Sequence, residues 1–287
     1  MIYRRLASPL HAARPAVAVC WCGALALAAL LQQGPVTLGA LMLAVMIVAP
    51  AARIGRPMRR ALRYAIPFAL MICVINALVV RDGLTVIWRF GNLPVLGQTD
   101  VTLEATVYGA VLGLRAATLV LIGFVYSLCV DPDGVLALLR PRSFSSALTA
   151  TIATRMVPIL LRDARRLSEA QRTRSGPRPG RVALLRATTA GVLDRALDVA
   201  ATLEVRGYAL GGRTRDLRAP VSRHDVAFSV SAGAVLALAL AARIAGWAPF
   251  SAYPSLQMPV GASTLLVAAG MLLCVLAPFA DRYGIEP

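Results

Sequence analysis

The stretch that decides the fold is Ala105-Thr-Val-Tyr-Gly-Ala-Val-Leu-Gly-Leu-Arg-Ala-Ala-Thr-Leu-Val-Leu-Ile-Gly-Phe-Val-Tyr-Ser-Leu-Cys-Val130, an apolar run interrupted by one charge, Arg115. A bilayer core takes about 20 such residues as one helix. Further apolar runs cover Ala16–Leu31, Val36–Ala49, Tyr64–Val80, Val226–Ala242 and Leu256–Pro278. The 287-residue chain is 58% hydrophobic and only 15% charged, with a mean hydropathy of +0.69, outside the range of soluble domains. The expectation is an all-α polytopic membrane protein of about six spans, or five if the first two form a shallow hairpin. Residues 1–130 hold the N-terminal transmembrane helices, 131–225 a polar helical region, and 226–287 the C-terminal transmembrane helices.

Charge sets the orientation. All 30 basic residues are arginine. With the N-terminus inside, Arg4, Arg5, Arg14 and the group Arg53, Arg56, Arg59, Arg60 and Arg63 are cytoplasmic, and so are the seventeen arginines from Arg140 to Arg223. Only Arg81 and Arg89 then fall in outer loops, which satisfies the positive-inside bias. Both termini are expected in the cytoplasm. The apolar run after Arg4 and Arg5 reads as an uncleaved first helix, because no cleavage site follows it and further spans do. The five cysteines lie in or beside apolar runs and read as buried free thiols.

The polar region opens on Asp131-Pro-Asp-Gly134, where Asp131 suits a helix cap and Pro132 a first turn. A short amphipathic helix over Val135–Leu139 ends at Pro141. A longer one, from about Ala147 to Arg174, sets Leu160, Ala164 and Leu167 on one side and Arg162, Arg165, Arg166 and Glu169 on the other. Gly176-Pro-Arg-Pro-Gly180 breaks it. A third helix carries Val182, Leu185, Val192, Ala196, Val199, Ala200 and Leu203 and stops at Gly207. These helices are too polar to span a bilayer and too apolar on one face to stand free in water.

Two of them end alike. Glu169-Ala-Gln-Arg-Thr-Arg-Ser175 contains Thr173-Arg174-Ser175, and Leu203-Glu-Val-Arg-Gly-Tyr208 contains Val205-Arg206-Gly207. Arg174 follows Leu167, and Arg206 follows Val199, by seven residues, close to two turns, so each arginine extends an apolar side. Ordinary explanations compete. The helix dipole favours arginine at a C-terminus by about 0.3–1 kcal/mol, and anionic lipid attracts it by about 1 kcal/mol. For either triplet alone those explanations are preferred; two of one form shift the balance towards a docking device.

In these triplets the chain resembles the transmembrane T component of energy-coupling factor (ECF) transporters, prokaryotic importers of vitamins and transition-metal ions such as cobalt. That family ends two cytoplasmic helices in Ala-Arg-Gly or Ala-Arg-Ser. Ala170-Gln-Arg172, Arg195-Ala-Leu-Asp198, Gly212-Arg-Thr214, Leu10-His11, Tyr108-Gly109, Leu114-Arg115, Asp131-Pro-Asp133 and Arg155-Met-Val-Pro158 carry the same look, which weakens beyond about His224. Thr173 and Val205 depart from the usual alanine. The resemblance implies a non-enzymatic coupling subunit. Two ABC-type ATPase subunits, which hold the ATP–Mg, would each take one triplet arginine, Arg174 or Arg206. Ser175 and Gly207 would permit close approach, and a membrane-embedded S component would bind the cargo. The chain itself would bind no cofactor or metal.

Arg115 is the remaining candidate. A charge inside a span costs about 2.5–3.5 kcal/mol and marks function by default, so a secondary transporter using Arg115 is the alternative reading; a structural pairing, or a contact organising the S-component surface, is preferred. Gly109, Gly113, Ala116 and Ala117 would let a helix approach closely, from a partner or from this chain. The absence of lysine excludes a Walker A loop, and neither a His-Glu-x-x-His nor a Gly-x-Ser-x-Gly motif is present. Nucleic acid is rejected as a partner despite a net charge of +16, because the arginines follow membrane topology and no aromatic platform accompanies them. Membrane lipid is expected to contact the chain.

Overall fold

Proline opens the first three helices. Pro9, Pro15 and Pro35 occupy the first turns of α1 (Pro9–Ala12), α2 (Pro15–Leu31) and α3 (Pro35–Ala51), where a missing N–H leaves nothing unsatisfied. The computed structural model describes residues 6–80, 85–93, 97–139, 144–173, 181–208, 221–252, 256–257 and 261–281. α4 (Gly55–Val79) follows, then strands β1 (Val86–Leu93) and β2 (Gly97–Thr102), then α5 (Leu103–Cys129) and α6 (Pro132–Leu139). Next come α7 (Phe144–Thr173), α8 (Arg181–Val205), α9 (Arg223–Ile244) and α10 (Ala262–Leu276), which ends in a 3-10 turn, Ala277–Phe279. The protein is an all-α polytopic membrane protein.

Four helices, α4, α5, α9 and α10 with its 3-10 turn, are long and apolar enough to cross a membrane. α2 and α3 have 17 residues each, about 26 Å of helix. Their buried faces make them part of the bundle. Two boundaries differ from the sequence expectation. α4 starts at Gly55 rather than Tyr64, so the arginine-rich segment is its first two turns. The last helix starts at Ala262, not Leu256, behind a Ser251–Gln257 bridge.

Contacts divide the chain into two units, residues 1–135 with 221–287, and residues 136–220. In the first, α2 packs on α9, α3 on α10 and α4 on α5, with α2 and α3 also against α5. Leu25, Leu38, Leu41, Met58, Leu121, Phe228 and Met271 are sealed in this core. Trp21, Phe228 and Phe279 meet edge to face with ring centroids 5.2–5.8 Å apart. The indole Nε1–H of Trp21 donates to Ser231 Oγ at 3.0 Å, and that hydroxyl donates to the Cys274 carbonyl at 2.7 Å, so the polar atoms in the apolar seam are satisfied.

Two ends of the core are pinned by carboxylates. Asp225 forms a capping box with Ser222 at the start of α9 and accepts the Arg14 backbone N–H at 2.7 Å, with Arg14 Nε at 3.3 Å. At the opposite end of the spans, buried Glu104 accepts from Thr85 N–H and Oγ1–H at 2.9–3.2 Å, tying the entry of the hairpin to α5. The β1–β2 hairpin, with Val86 opposite Thr102 and Leu93 opposite Gly97, was not expected from sequence. Among the cysteines, all free, Cys22 and Cys129 are buried, but Cys20 is exposed, contrary to expectation, because it lies on the outer face of α2.

In the second unit α7 and α8 pack together. The least exposed side of α7 runs through Met156, Leu160, Asp163, Ala164 and Leu167; that of α8 runs through Arg195, Val199 and Leu203. The stripe read from sequence is therefore the packed one in α7, but of the α8 stripe only Val199 and Leu203 lie on the packed side, and Val192, Ala196 and Ala200 are exposed. Val182 and Leu185, earlier in α8, stay exposed.

Candidate functional site

α8 ends as its sequence dictates. Gly207 takes a φ of +72°, a region that penalises any Cβ. Its N–H donates to Glu204 C=O at 2.9 Å, and the next N–H, of Tyr208, reaches back to Leu203 C=O at 3.0 Å. Those two bonds are the Schellman termination. Arg206 is therefore the C-cap residue: its own N–H still bonds Thr202 C=O at 3.1 Å, while the chain turns away immediately after it. Val205, 89% exposed, and Arg206, also exposed, stand at the tip of a 25-residue helix. The result is a cation at the negative end of a long helix, beside a glycine turn.

Of the other triplet, Thr173 is the last residue of α7. It is exposed, and its hydroxyl donates to Ala170 C=O at 3.0 Å. Arg174 and Ser175 lie outside the described residues.

An ion pair that the sequence did not reveal joins the two helices: Arg195 donates to Asp163 Oδ2 at 2.7 Å, each side chain about one-third exposed. Its only prior signal was an aspartate among the arginines of α7.

Arg115, at the middle of α5, is engaged by the protein itself. Its guanidinium donates to the Gln32 carbonyl at 2.8 Å, and the Gln32 amide in turn donates to Ala239 C=O on α9 at 3.5 Å. Gln32 is the C-cap of α2, so Arg115 satisfies one of the orphan carbonyls that every helix end leaves. The α2–α3 turn thus meets α5 at Arg115, twelve residues, about 18 Å of helix, inside its first residue Leu103.

The small residues of α5 are used within the chain. Gly109 and Gly113 face the α4 backbone at Cys73 and Ala69, and Gly109 also the Asn76 Cβ, too closely for any side chain to intervene. Among the described residues no cluster of His, Cys, Asp and Glu could hold a metal ion.

No curated protein matches the chain. The sequence profile of the cobalt transport protein family (CbiQ) matches residues 7–215, a stretch that includes both triplets, Arg115 and the α4–α5 seam. The chain belongs to that family, the T components of ECF transporters, and is a multi-pass membrane component of a transport system.

Proposed function

We propose that this protein is the coupling subunit of an ATP-driven ECF-type importer in a prokaryotic inner membrane, with both termini in the cytoplasm. Two ABC-type ATPases dock on the polar helices, one on Arg174 and one on Arg206, and carry the ATP–Mg. A separate S component in the membrane binds the cargo, a vitamin or a transition-metal ion. The family's name favours cobalt. This chain contributes mechanics and no catalysis: ATPase closure pulls on the ends of α7 and α8, which are linked by Arg195 and Asp163.

The observation that carries the reading is the termination of α8. A guanidinium at a helix tip, beside a glycine turn, is built to enter a groove on a soluble partner. There a desolvated arginine paired with a carboxylate costs about 2–5 kcal/mol to lose. Secondary transport through Arg115 is less well supported, because that guanidinium already serves the Gln32 carbonyl.

The test is co-purification from membranes with the candidate ATPase pair, comparing wild type with Arg174→Glu plus Arg206→Glu. ATPase association lost in the double variant, with the protein still inserted and monodisperse, is the expected result. Equal retention, or no ATPase on wild type, would overturn the reading.

A further inference from the structure

The loop from α3 to α4 holds a feature that the coupling role does not use. α3 ends in the same hydrogen-bond pattern as α8: Arg53 N–H bonds Pro50 C=O at 3.0 Å and Ile54 N–H bonds Ala49 C=O at 2.8 Å. At α8 the left-handed position of that pattern is a glycine. Here it is Arg53, with φ +59°, a conformation that disfavours a side chain. Strained residues held in place by their surroundings concentrate at ligand clamps.

Arg53 lines a groove of about 720 Å³ together with Arg56, Arg59, Met46 and Pro50. Arg60 and Arg63 flank it. All five arginines are exposed, and none of their guanidiniums has an ion pair or hydrogen bond among the described residues. Five like charges within eleven residues, left without a carboxylate, repel one another unless an anion lies between them.

The neighbouring surface says which anion. Arg56, Arg59, Arg63, Ile66 and Leu70 follow one another at helical spacing on a single exposed face of α4, so guanidiniums give way directly to apolar side chains. On α3, Leu43, Ile47 and Pro50 follow one another at helical spacing as an exposed stripe that reaches the groove at Pro50. A soluble phosphate would have no use for the two apolar stripes that lead away from the arginines. A phospholipid fits both parts, with its headgroup among the arginines and its chains along the stripes.

We infer that the α3–α4 groove is a binding site for an anionic phospholipid. Three guanidiniums in one groove suit a headgroup with two phosphates better than one with a single phosphate. The site belongs to the membrane unit alone and does not depend on the coupling reading.

The experiment is native mass spectrometry of the full-length, delipidated protein in detergent, titrated in turn with diphosphatidylglycerol, phosphatidylglycerol, phosphatidylcholine and inorganic pyrophosphate. Diphosphatidylglycerol should bind at least ten-fold more tightly than phosphatidylcholine. Arg53→Gln, Arg56→Gln and Arg59→Gln combined should remove most of that preference, whereas Arg165→Gln with Arg166→Gln on α7 should leave it unchanged. If the triple variant does not fold, Arg56→Gln alone should still lower the preference measurably, because Arg56 is exposed and supports no packing. A preference unaltered in the arginine variants, equal binding of phosphatidylcholine, or pyrophosphate binding as tightly as the lipid would each overturn the assignment.

Discussion

Gly113 of α5 lies directly against the backbone of α4 at Ala69: a methyl group on Gly113 would stand 2.5 Å from the Ala69 carbonyl oxygen. Four residues earlier, a methyl on Gly109 would be 2.9 Å from the Cys73 carbonyl. These glycines are the seam along which α4, with only 6% of its apolar stretch buried, is held to the bundle. In lipid, close backbone packing replaces the hydrophobic effect as the force between helices. Gly113→Ala should therefore cost about 1–3 kcal/mol, read as a lower midpoint of thermal unfolding in detergent. Gly123→Ala, where nothing lies within 4 Å, should not lower it.

The turn after α8 makes an opposed pair of predictions. Gly207→Ala forces a Cβ into the left-handed region, at about 1–2 kcal/mol, and should reduce ATPase co-purification although Arg206 is intact. Gly191→Ala, in the same helix with open space around it, should stabilise α8 by about 0.5–1 kcal/mol and leave ATPase binding alone. Equal effects of the two on co-purification would remove the turn from the docking argument.

Arg115→Ala leaves the Gln32 carbonyl without its donor inside the bundle. The expected loss is about 1–3 kcal/mol, with Arg115→Lys recovering part of it. If Arg115 instead binds cargo, the alanine variant would keep wild-type thermal stability and lose only uptake. Measuring unfolding and uptake on the same preparations separates the two.

The Asp163–Arg195 pair is about one-third exposed at both partners, so solvent screens it and its coupling energy should not exceed about 1 kcal/mol. A double-mutant cycle with Asp163→Asn and Arg195→Gln checks this. Exchanging the charges, Asp163→Arg with Arg195→Asp, should restore uptake that either single reversal impairs.

Much of this fold was legible in the residues. Apolar runs with at most one charge gave the spans. The leucine and alanine spacing in 160–167 gave the packed side of α7, and Gly207 gave the end of α8 within a residue or two. The hairpin was not legible, because β1 carries a short mixed stretch, Val86-Ile-Trp-Arg-Phe, with no clean alternation. The start of α4 was missed for another reason: hydropathy falls across Arg56–Arg63, but the helix does not.

By itself, then, the sequence determined the class of this protein, the direction of its charge asymmetry and the C-terminal ends of α7 and α8. These follow from transfer free energies and backbone propensities that act within a few residues. Only the tertiary structure decided that Arg115 meets the carbonyl of Gln32, 83 residues away, that Gly109 and Gly113 face α4 rather than a partner, and that Arg53, Arg56 and Arg59 share one groove. A local pattern says which side of a helix is small or charged. Which neighbour it meets is settled by how the whole bundle packs.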